Sequence, residues 1–355
     1  MNTSMKTQYF LTQKFRHYYS QTRIPPPPEP EMREWGFVRF GEGFVMRRHM
    51  GFPSFREVKL YLEGEGPAHV YYSTAYYKNP MASKMAEKEW LGADLIFDLD
   101  ADHLKKVPPT YSAMLKMVKK ELLKLIAILT KEFGFENMRV VFSGGRGYHV
   151  HVYDECVRAL GSPERREIVD YIRGTGIVLE MAGEGWRRRL MSCINKVHRH
   201  LVSMDRKDAL QWLKENLGMD GRRARYVIDN KMENEDFKKI LSKRYMRPLV
   251  EWCVERCSVE IDEPVSTDVK RLIRLPGSLH GKTGLRVTPL DIDEIRTFEP
   301  LKEAIVFSDE GVRVKILSKT TVELSGKKFR LDEGEEEVPE YVAVYLLARG
   351  LGEIA

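Results

Sequence analysis

The stretch that decides the fold is Asp94–His103, which reads DLIFDLDADH. An apolar run leads into two acids, Asp98 and Asp100, spaced by one residue. Residues two apart lie on one face of a strand, and at about 3.3 Å per residue their side chains start roughly 6.6 Å apart. Carboxylates so placed at the carboxyl end of a buried strand can converge on divalent cations held about 3.5–4 Å apart. The string therefore predicts a metal site, with a solvated strand end as the alternative.

A second string, Ser143–His151, reads SGGRGYHVH and follows a predicted strand. Its three glycines let the backbone approach a phosphate closely, and Arg146 can grip phosphate oxygens with two hydrogen bonds. His149 and His151 alternate on one strand face and can join the arginine. A plain glycine hairpin is the alternative, and the string is not a P-loop, because the lysine and the following Ser/Thr are missing. As a whole the string predicts phosphate binding.

A third string, Ile261–Gly284, reads IDEPVSTDVKRLIRLPGSLHGKTG. Ser266 or Thr267 is predicted to cap a short helix that ends before Pro276. A turn follows this helix. The string supplies three cations for a triphosphate: Arg274, His280 and Lys282.

The rest of the chain alternates between strand and helix patterns around these strings. A helix with apolar positions at helical spacing is predicted over Ser112–Phe133, and a final helix over Val338–Arg349. The predicted strands are Gly36–Phe40, Gly43–Arg47, His69–Thr74, Ala93–Leu99, Met138–Phe142, Tyr148–Tyr153, Ser258–Ile261 and Leu285–Leu290.

From about residue 162 to residue 247 strand patterns give way to helical periodicity and basic runs such as Arg187–Arg189. This change predicts a helical insertion in one α/β domain that both flanks complete. The predicted boundaries are 1–30 for an N-terminal helix and proline linker, 31–160 and 251–335 for the α/β domain, 161–250 for the insertion and 336–355 for a C-terminal helix.

Composition narrows the class of protein. Charged residues make up 31%, hydrophobic residues 43%, and the formal net charge is +6, which suits a polyanionic partner. The four cysteines are scattered and predict free thiols in a reducing cytoplasm rather than a disulfide framework. No run approaches the roughly 18 apolar residues of a membrane span, so no membrane association is expected.

Together the three strings resemble the small, catalytic subunit of archaeal and eukaryotic DNA primases. The resemblance lies in the strand with two aspartates, the SGGRGYH loop and the RLPGSLHGKTG block, in the family's order. The string Arg33–Phe37, REWGF, is similar to an early segment of the same family. The resemblance covers residues 33 to 290, and the trio is far more specific than any one string.

The resemblance implies a role for each matching residue. Asp98, Asp100 and Asp262 would be the catalytic, metal-binding carboxylates. The phosphates of the incoming nucleotide would be bound by Ser143, Arg146, His149, Arg274 and His280, with Arg47 as a further match near the nucleotide.

Several aspartates could supply the third metal-binding carboxylate. Asp262 is expected to end the short strand 258–261 and to lie beside Asp98 and Asp100 in one sheet. Asp102 shares their face but starts about 13 Å from Asp98 by strand rise. The remaining competitors are Asp268, Asp291 and Asp293.

The fold that these patterns and the resemblance imply is a two-layer α/β catalytic domain of primase type with an inserted all-helical subdomain. The expected reaction is template-directed nucleotidyl transfer with Mg²⁺ or Mn²⁺, on single-stranded DNA and nucleoside triphosphates. The resemblance also implies a large-subunit partner with an iron–sulfur cluster. Relatives carry a zinc knuckle after the aspartate pair, but residues 104–111 contain no cysteine here, so structural zinc is not expected.

Two other functions fit parts of the sequence. An end-joining repair polymerase of the same superfamily shares the RLPGSLHGKTG block, and starting without a primer would separate it from a primase. A noncatalytic nucleic-acid-binding module belongs to another class, but three acids beside a phosphate loop would repel its ligand.

Overall fold

The computed structural model describes residues 4–41, 43, 45–104, 106–229, 237, 241 and 243–355. Most strands fall within the first 160 residues and again after residue 270. In chain order they are β1 Trp35–Val38, β2 Met46–Met50, β3 His69–Ser73, β4 Ala75–Tyr77, β5 Trp90–Ala93, β6 Leu95–Asp100, β7 Met138–Phe142, β8 Gly147–Val152, β9 Leu272–Arg274, β10 Thr288–Leu290, β11 Gly311–Ile316, β12 Thr320–Leu324, β13 Lys327–Leu331, β14 Gly334–Pro339 and β15 Gly352–Ile354.

Helices occupy both ends and the middle of the chain. In chain order they are α1 Met5–Gln21, α2 Phe55–Glu65, α3 Tyr111–Ile128, α4 Glu155–Arg158, α5 Ser162–Arg173, α6 Glu184–Ser203, α7 Arg206–Leu217, α8 Gly221–Asp229, α9 Lys243–Cys257, α10 Glu263–Thr267, α11 Pro300–Glu303 and α12 Glu340–Ala348. A π-helical turn, Leu129–Phe133, continues α3. No helix among the described residues is both long and apolar enough to cross a bilayer.

The chain divides into two compact units. The first comprises residues 1–123, 134–167 and 261–355, and the second comprises residues 124–133 and 168–260. The observed α/β character of the first unit and the helical character of the second agree with the predicted fold class. The second unit also takes in the end of α3 and the π turn, which the sequence did not assign to it.

One sheet of the first unit carries the two aspartates. Its strand order is β10-β7-β8-β6, and all of its neighbours are antiparallel. Every residue of β8 is buried, because apolar side chains and histidines alternate along it and both faces are covered. The register places Asp98 opposite His149 and Asp100 opposite Gly147. The carboxyl end of β6 and the start of β8 therefore meet at one edge of the sheet.

A second sheet in the same unit has the order β2-β1-β3-β9. Tyr71 of β3 pairs with Arg274 of β9, and β1 lies on the other side of β3. Trp35 and Phe37 of β1 are fully buried and pack against aromatic side chains from α2 and the loop before it. Through β9, this sheet places the third sequence string, Ile261–Gly284, beside β3.

Buried ion pairs tie the segments of the first unit together. Arg33 lies 2.8 Å from Asp94 and donates to the carbonyl oxygens of Ser73 and Thr74, and its side chain is fully buried. Lys88 lies 3.5 Å from Glu34, and neither side chain is exposed. Removing one partner of such a pair costs about 3–5 kcal/mol, because the other charge stays buried and unpaired.

The second unit has its own core. Fully buried Trp186 and Leu190 of α6 and Leu213 of α7 pack with Leu249 and Cys253 of α9. The apolar positions recur every three to four residues, so each helix presents one stripe to this core.

Two predictions around Asp262 are wrong. Residues 258–261 form no strand: Asp262 precedes α10, whose second residue, Pro264, has no N–H for a ladder. The helix that Ser266 or Thr267 was expected to cap is instead α10 itself, which ends at Thr267. The residues after it form β9, because Leu272–Arg274 pair with β3.

The C-terminal prediction is also wrong in part. Residues 336–355 are not one helix: β14 extends to Pro339, α12 covers Glu340–Ala348, and β15 follows. Strand β14 reads GEEEVP and has too few apolar residues to show a strand pattern. The predicted strand Gly43–Arg47 includes a residue outside the described ones, and the observed strand is β2.

Candidate active site

The structure brings the three predicted carboxylates together. Asp98 lies in β6, Asp100 ends that strand, and the backbone N–H of Asp262 donates to the carbonyl oxygen of Asp98 at 3.0 Å. Asp262 thus reaches β6 through this hydrogen bond rather than through a strand. Its backbone therefore lies beside that of Asp98.

The electrostatics of this group are unfavourable for three ionised acids. Burial, together with the neighbouring carboxylates of Asp100 and Asp262, raises the pKa of Asp98 to about 7, although Arg271 and Arg274 act to lower it. Three carboxylates around one buried position repel each other unless a cation joins them. The donor set is therefore one that a divalent cation would stabilise.

His149 of β8 is paired with Asp98 of the neighbouring strand β6, and its Nε2 atom lies 3.7 Å from the Asp98 carboxylate. Burial lowers the pKa of His149 well below its usual value, and His151 and Arg274 lower it further. The imidazole is therefore neutral at neutral pH. Its Nδ1 atom is buried without a hydrogen-bond partner among the described residues.

Among the described residues, no group of three or more His, Cys, Asp or Glu side chains is placed so that it could hold a metal ion as it stands. Mg²⁺ does not require one, because it is usually held by one or two carboxylates plus substrate phosphates and water. The acids of β6 and Asp262 fit this open kind of site.

The glycine loop packs against the turn of the third string. Gly144 has a φ of +73°, and a Cβ atom there would lie 2.6 Å from the Cβ of His280. The hydroxyl of Thr283 donates to the carbonyl oxygen of Gly144 at 2.6 Å. A residue with a side chain at position 144 would force the two segments apart, so glycine permits their close approach.

Inside the loop, Ser143 has a structural task. Its hydroxyl oxygen accepts hydrogen bonds from the backbone N–H groups of Gly145 and Gly147, both at 3.3 Å. The hydroxyl of Tyr111 donates to the carbonyl oxygen of Gly145 at 2.6 Å. The loop is therefore held in one shape before any ligand binds.

Arg146 projects from the tip of this loop and is half exposed. Its guanidinium lies 3.5 Å from the Asp100 carboxylate and forms a close ion pair with Asp102. Asp102 therefore serves as the partner of Arg146. This placement favours Asp262 over Asp102 as the third acid near Asp98.

Arg274 and His280 are joined by a residue that the sequence did not single out. The Nδ1 atom of His69 lies 2.7 Å from the Arg274 guanidinium and accepts a hydrogen bond from the backbone N–H of Gly281 at 3.2 Å. The ring of His69 also lies 5.0 Å from the ring of His280. Burial lowers the pKa of His69 well below its usual value, with Arg274 adding to the effect, so the ring is neutral and Nδ1 can accept. A histidine at the start of an apolar strand belongs to no motif, so only the fold reveals it.

Two predicted residues are less closely tied to this group. Lys282 is exposed in the turn, where its backbone N–H donates to His280 Nδ1 at 3.3 Å. Arg47 is exposed on β2, at the edge of the sheet opposite the β9 edge that carries Arg274. The assignment of Arg47 to nucleotide binding stays a prediction.

We expect His69→Ala to raise the KM for nucleotide about tenfold and to change kcat little, because it removes a hydrogen bond that orients a charged phosphate ligand. His69→Asn keeps an acceptor near the Nδ1 position and should recover part of the loss. Steady-state kinetics of primer extension measure both values. A loss in kcat alone, or no recovery with asparagine, would assign His69 a different role.

Comparisons with known proteins identify the family of this chain. A family model described as "DNA primase small subunit" matches residues 97–292. The chain is 44% identical to DNA primase small subunit PriS of Methanococcoides burtonii, covering 98% of this chain and 99% of the relative. It is 43% identical to the protein of the same name from Archaeoglobus fulgidus, covering 98% of each.

Among solved structures, the polymerase domain of Mycobacterium tuberculosis Ligase D in complex with DNA matches at 11% identity and a TM-score of 0.35, covering 83% of this chain and 86% of that one. That likeness is too weak to support an argument. The matches in sequence extend over nearly the whole chain and confirm the resemblance seen in the three strings: this chain belongs to the DNA primase small subunit family.

Proposed function

We propose that this chain is the catalytic subunit that synthesises short primers on single-stranded DNA, by nucleotidyl transfer at Asp98, Asp100 and Asp262. The observation that carries the proposal is the backbone hydrogen bond that holds Asp262 against Asp98. It joins the third acid to the first two beside a loop and a turn that carry phosphate-binding groups.

Asp98, Asp100 and Asp262 would hold Mg²⁺ or Mn²⁺. When bound, such cations activate the attacking 3′-hydroxyl oxygen and stabilise the charge of the leaving pyrophosphate. The raised pKa of Asp98 supports this assignment, since a buried carboxylate beside two others is stabilised by a cation.

The remaining residues would bind and orient the triphosphate. Arg146 and Arg274 supply guanidinium groups, and His149 and His280, whose pKa values burial lowers well below the usual value, supply neutral imidazole nitrogens. Ser143 shapes the loop, and Lys282 adds charge from the exposed turn. Arg146 would exchange its carboxylate partners for phosphate oxygens, because both are bound by the same bidentate geometry.

We expect Arg146→Ala and His280→Ala each to weaken nucleotide binding by about 1.5–3 kcal/mol, the range for hydrogen bonds to charged groups. Titration of a labelled nucleoside triphosphate measures the affinity. Lys319→Ala, in the exposed loop between β11 and β12, is a matched control and should bind normally. Unchanged affinity in both loop variants would return these residues to a purely structural role.

The proposed partners follow from the family. They are single-stranded DNA, nucleoside triphosphates and a large subunit with an iron–sulfur cluster, in a cytoplasmic heterodimer that belongs to the replication machinery. The net charge of +6 supports a nucleic-acid partner.

The deciding experiment is primer synthesis on unprimed single-stranded DNA with labelled ATP or dATP, with and without the large subunit. De novo products that require Mg²⁺ or Mn²⁺ are expected. Extension of existing primers without de novo synthesis would favour an end-joining polymerase, and binding without pyrophosphate release would favour a noncatalytic module.

We predict that the purified chain holds no structural zinc. The interval after the aspartate pair has no cysteine, and four ligands are the rule for structural zinc. Elemental analysis of protein washed with a chelator measures it, and stoichiometric zinc that survives the wash would contradict the prediction.

A further inference from the structure

A cavity of about 660 Å³ lies within the second unit and includes none of the residues assigned to the active site. Three helical segments form its walls: the end of α3 with its π turn, the middle of α6 and the end of α9. Its volume is in the range of small-ligand sites, so it can admit a nucleotide-sized group.

The lining of this cavity is strongly basic. Among the residues that the structure describes, its only carboxylate, Glu132, lies 3.0 Å from Arg189 and accepts a hydrogen bond from Tyr171 at 2.6 Å, so its charge is already paired. The other lysines and arginines of the lining are Lys124, Lys131, Arg188, Lys196 and Arg256. Arg188 and Arg256 pair with Glu184 and Glu255 outside the lining, whereas Lys131 and Lys196 keep their charge available for an anion.

Part of this charge lies in a row along α6. Arg188, Ser192, Lys196 and His200 recur every four residues and all line the cavity. At 1.5 Å per residue, successive side chains start about 6 Å apart, and the row extends over about 18 Å. A row of this length suits a linear polyanion better than a single phosphate. Lys131 and Lys196 form no ion pair or hydrogen bond with any described residue.

The floor of the cavity suits a planar group. Ala127, Ile128 and Val197 contribute apolar surface. The guanidinium of Arg256 lies 3.4 Å over the ring of Trp252 and is fixed there as a flat surface. Unstacked bases stack on arginine planes as well as on aromatic rings.

We propose that this cavity is a second binding site for single-stranded nucleic acid, in which phosphates follow the α6 row and a base stacks on Arg256. The identity of the polyanion rests on the proposed function, whereas the charge and shape of the cavity do not. An acidic peptide would satisfy the lysines but would make no use of the stacked guanidinium.

The first test uses the fluorescence anisotropy of a labelled oligothymidylate, with chelator and without nucleotide. Lys131→Gln/Lys196→Gln is compared with Lys207→Gln/Lys214→Gln, which removes two exposed lysines of α7, in the same unit but outside the cavity. The cavity variant should bind about tenfold more weakly, and its salt slope should become shallower by about 1.4. The control should stay within about twofold, and equal losses in both variants would overturn the proposal.

The second test concerns the base. Arg256→Lys keeps the charge and loses the plane, so affinity for oligothymidylate should fall about tenfold and affinity for an abasic oligomer of the same length should not. Equal effects on both oligomers would refute the stacking. Displacement of the oligomer by ATP alone would make the cavity a free-nucleotide site and would overturn the proposal.

The outcomes separate this inference from the proposed function. Wild-type protein that makes primers while the cavity variant binds DNA normally would refute this inference alone. Wild-type protein that makes no primers but loses DNA affinity in the cavity variant would refute the proposed function alone.

Discussion

Asp98→Asn is expected to reduce nucleotide addition by about 10³-fold or more, because cation-mediated charge stabilisation is worth several kcal/mol and each 1.36 kcal/mol is a factor of ten. The amide keeps the shape of the side chain but removes its charge. Primer extension at physiological Mg²⁺ measures the loss. The melting temperature in chelator should not fall, since the substitution removes a buried carboxylate that Asp100 and Asp262 repel.

The matched comparison identifies the third acid. Asp262→Asn should cause a loss similar to that of Asp98→Asn, because the two residues share one site. Asp102→Asn makes the same chemical change on an exposed side chain paired with Arg146 and should cost less than about tenfold. A larger loss at Asp102 than at Asp262 would reverse the assignment.

Gly147→Ala is expected to have the second-largest effect. A Cβ atom at this position would lie 2.1 Å from the carbonyl oxygen of Leu99 and 3.0 Å from the Cα atom of Asp100. Strand β8 would have to move away from the end of β6 that carries Asp100. We expect a loss of about 3 kcal/mol in the free energy of unfolding, the upper part of the usual range for overpacking, and a loss of activity of about 100-fold, since small displacements of catalytic groups are costly.

Gly64→Ala is the control for this change. Gly64 lies in α2, and a Cβ atom there would meet nothing within 4 Å. Alanine should stabilise the helix by about 0.5–1 kcal/mol and leave activity unchanged. Chemical denaturation and primer extension measure both variants. A similar loss of stability in the two variants would mean that the close contact with Leu99 does not limit position 147.

The strands that carry the motifs were predicted from the sequence more accurately than the short strands and the C-terminal segment. Strands β6, β7 and β8 were predictable because long apolar runs meet motif residues whose spacing has a chemical reason. The short strand β9 was predicted as helix because only one residue of Leu272–Arg274 is buried, too few to show a strand pattern. These residues form a strand because they pair with β3. Local pattern does not contain that pairing.

The same limit applies to the site. Asp98, Asp100 and Arg146 could be predicted from neighbouring residues in the chain. The contact of Asp262 with Asp98 could not be predicted from the sequence, because it depends on tertiary structure and not on a strand that contains Asp262. His69 was missed for the same reason: its role comes from Arg274 and Gly281, more than two hundred residues away. Residues 124–133 continue the period of α3, so no pattern marks where the second unit begins.

The discontinuous path of the first unit affects how the active site forms during synthesis. Asp98 and Asp100 leave the ribosome with the first segment of the unit, but Asp262 belongs to its last segment, after the whole second unit has been made. Because a chain is made from its N-terminus and units tend to fold as they emerge, the helical unit can fold before the proposed catalytic centre is complete. A nascent or truncated chain that stops before residue 261 therefore carries two of the three proposed metal-binding acids, so under this proposal only synthesis of the last segment completes the centre.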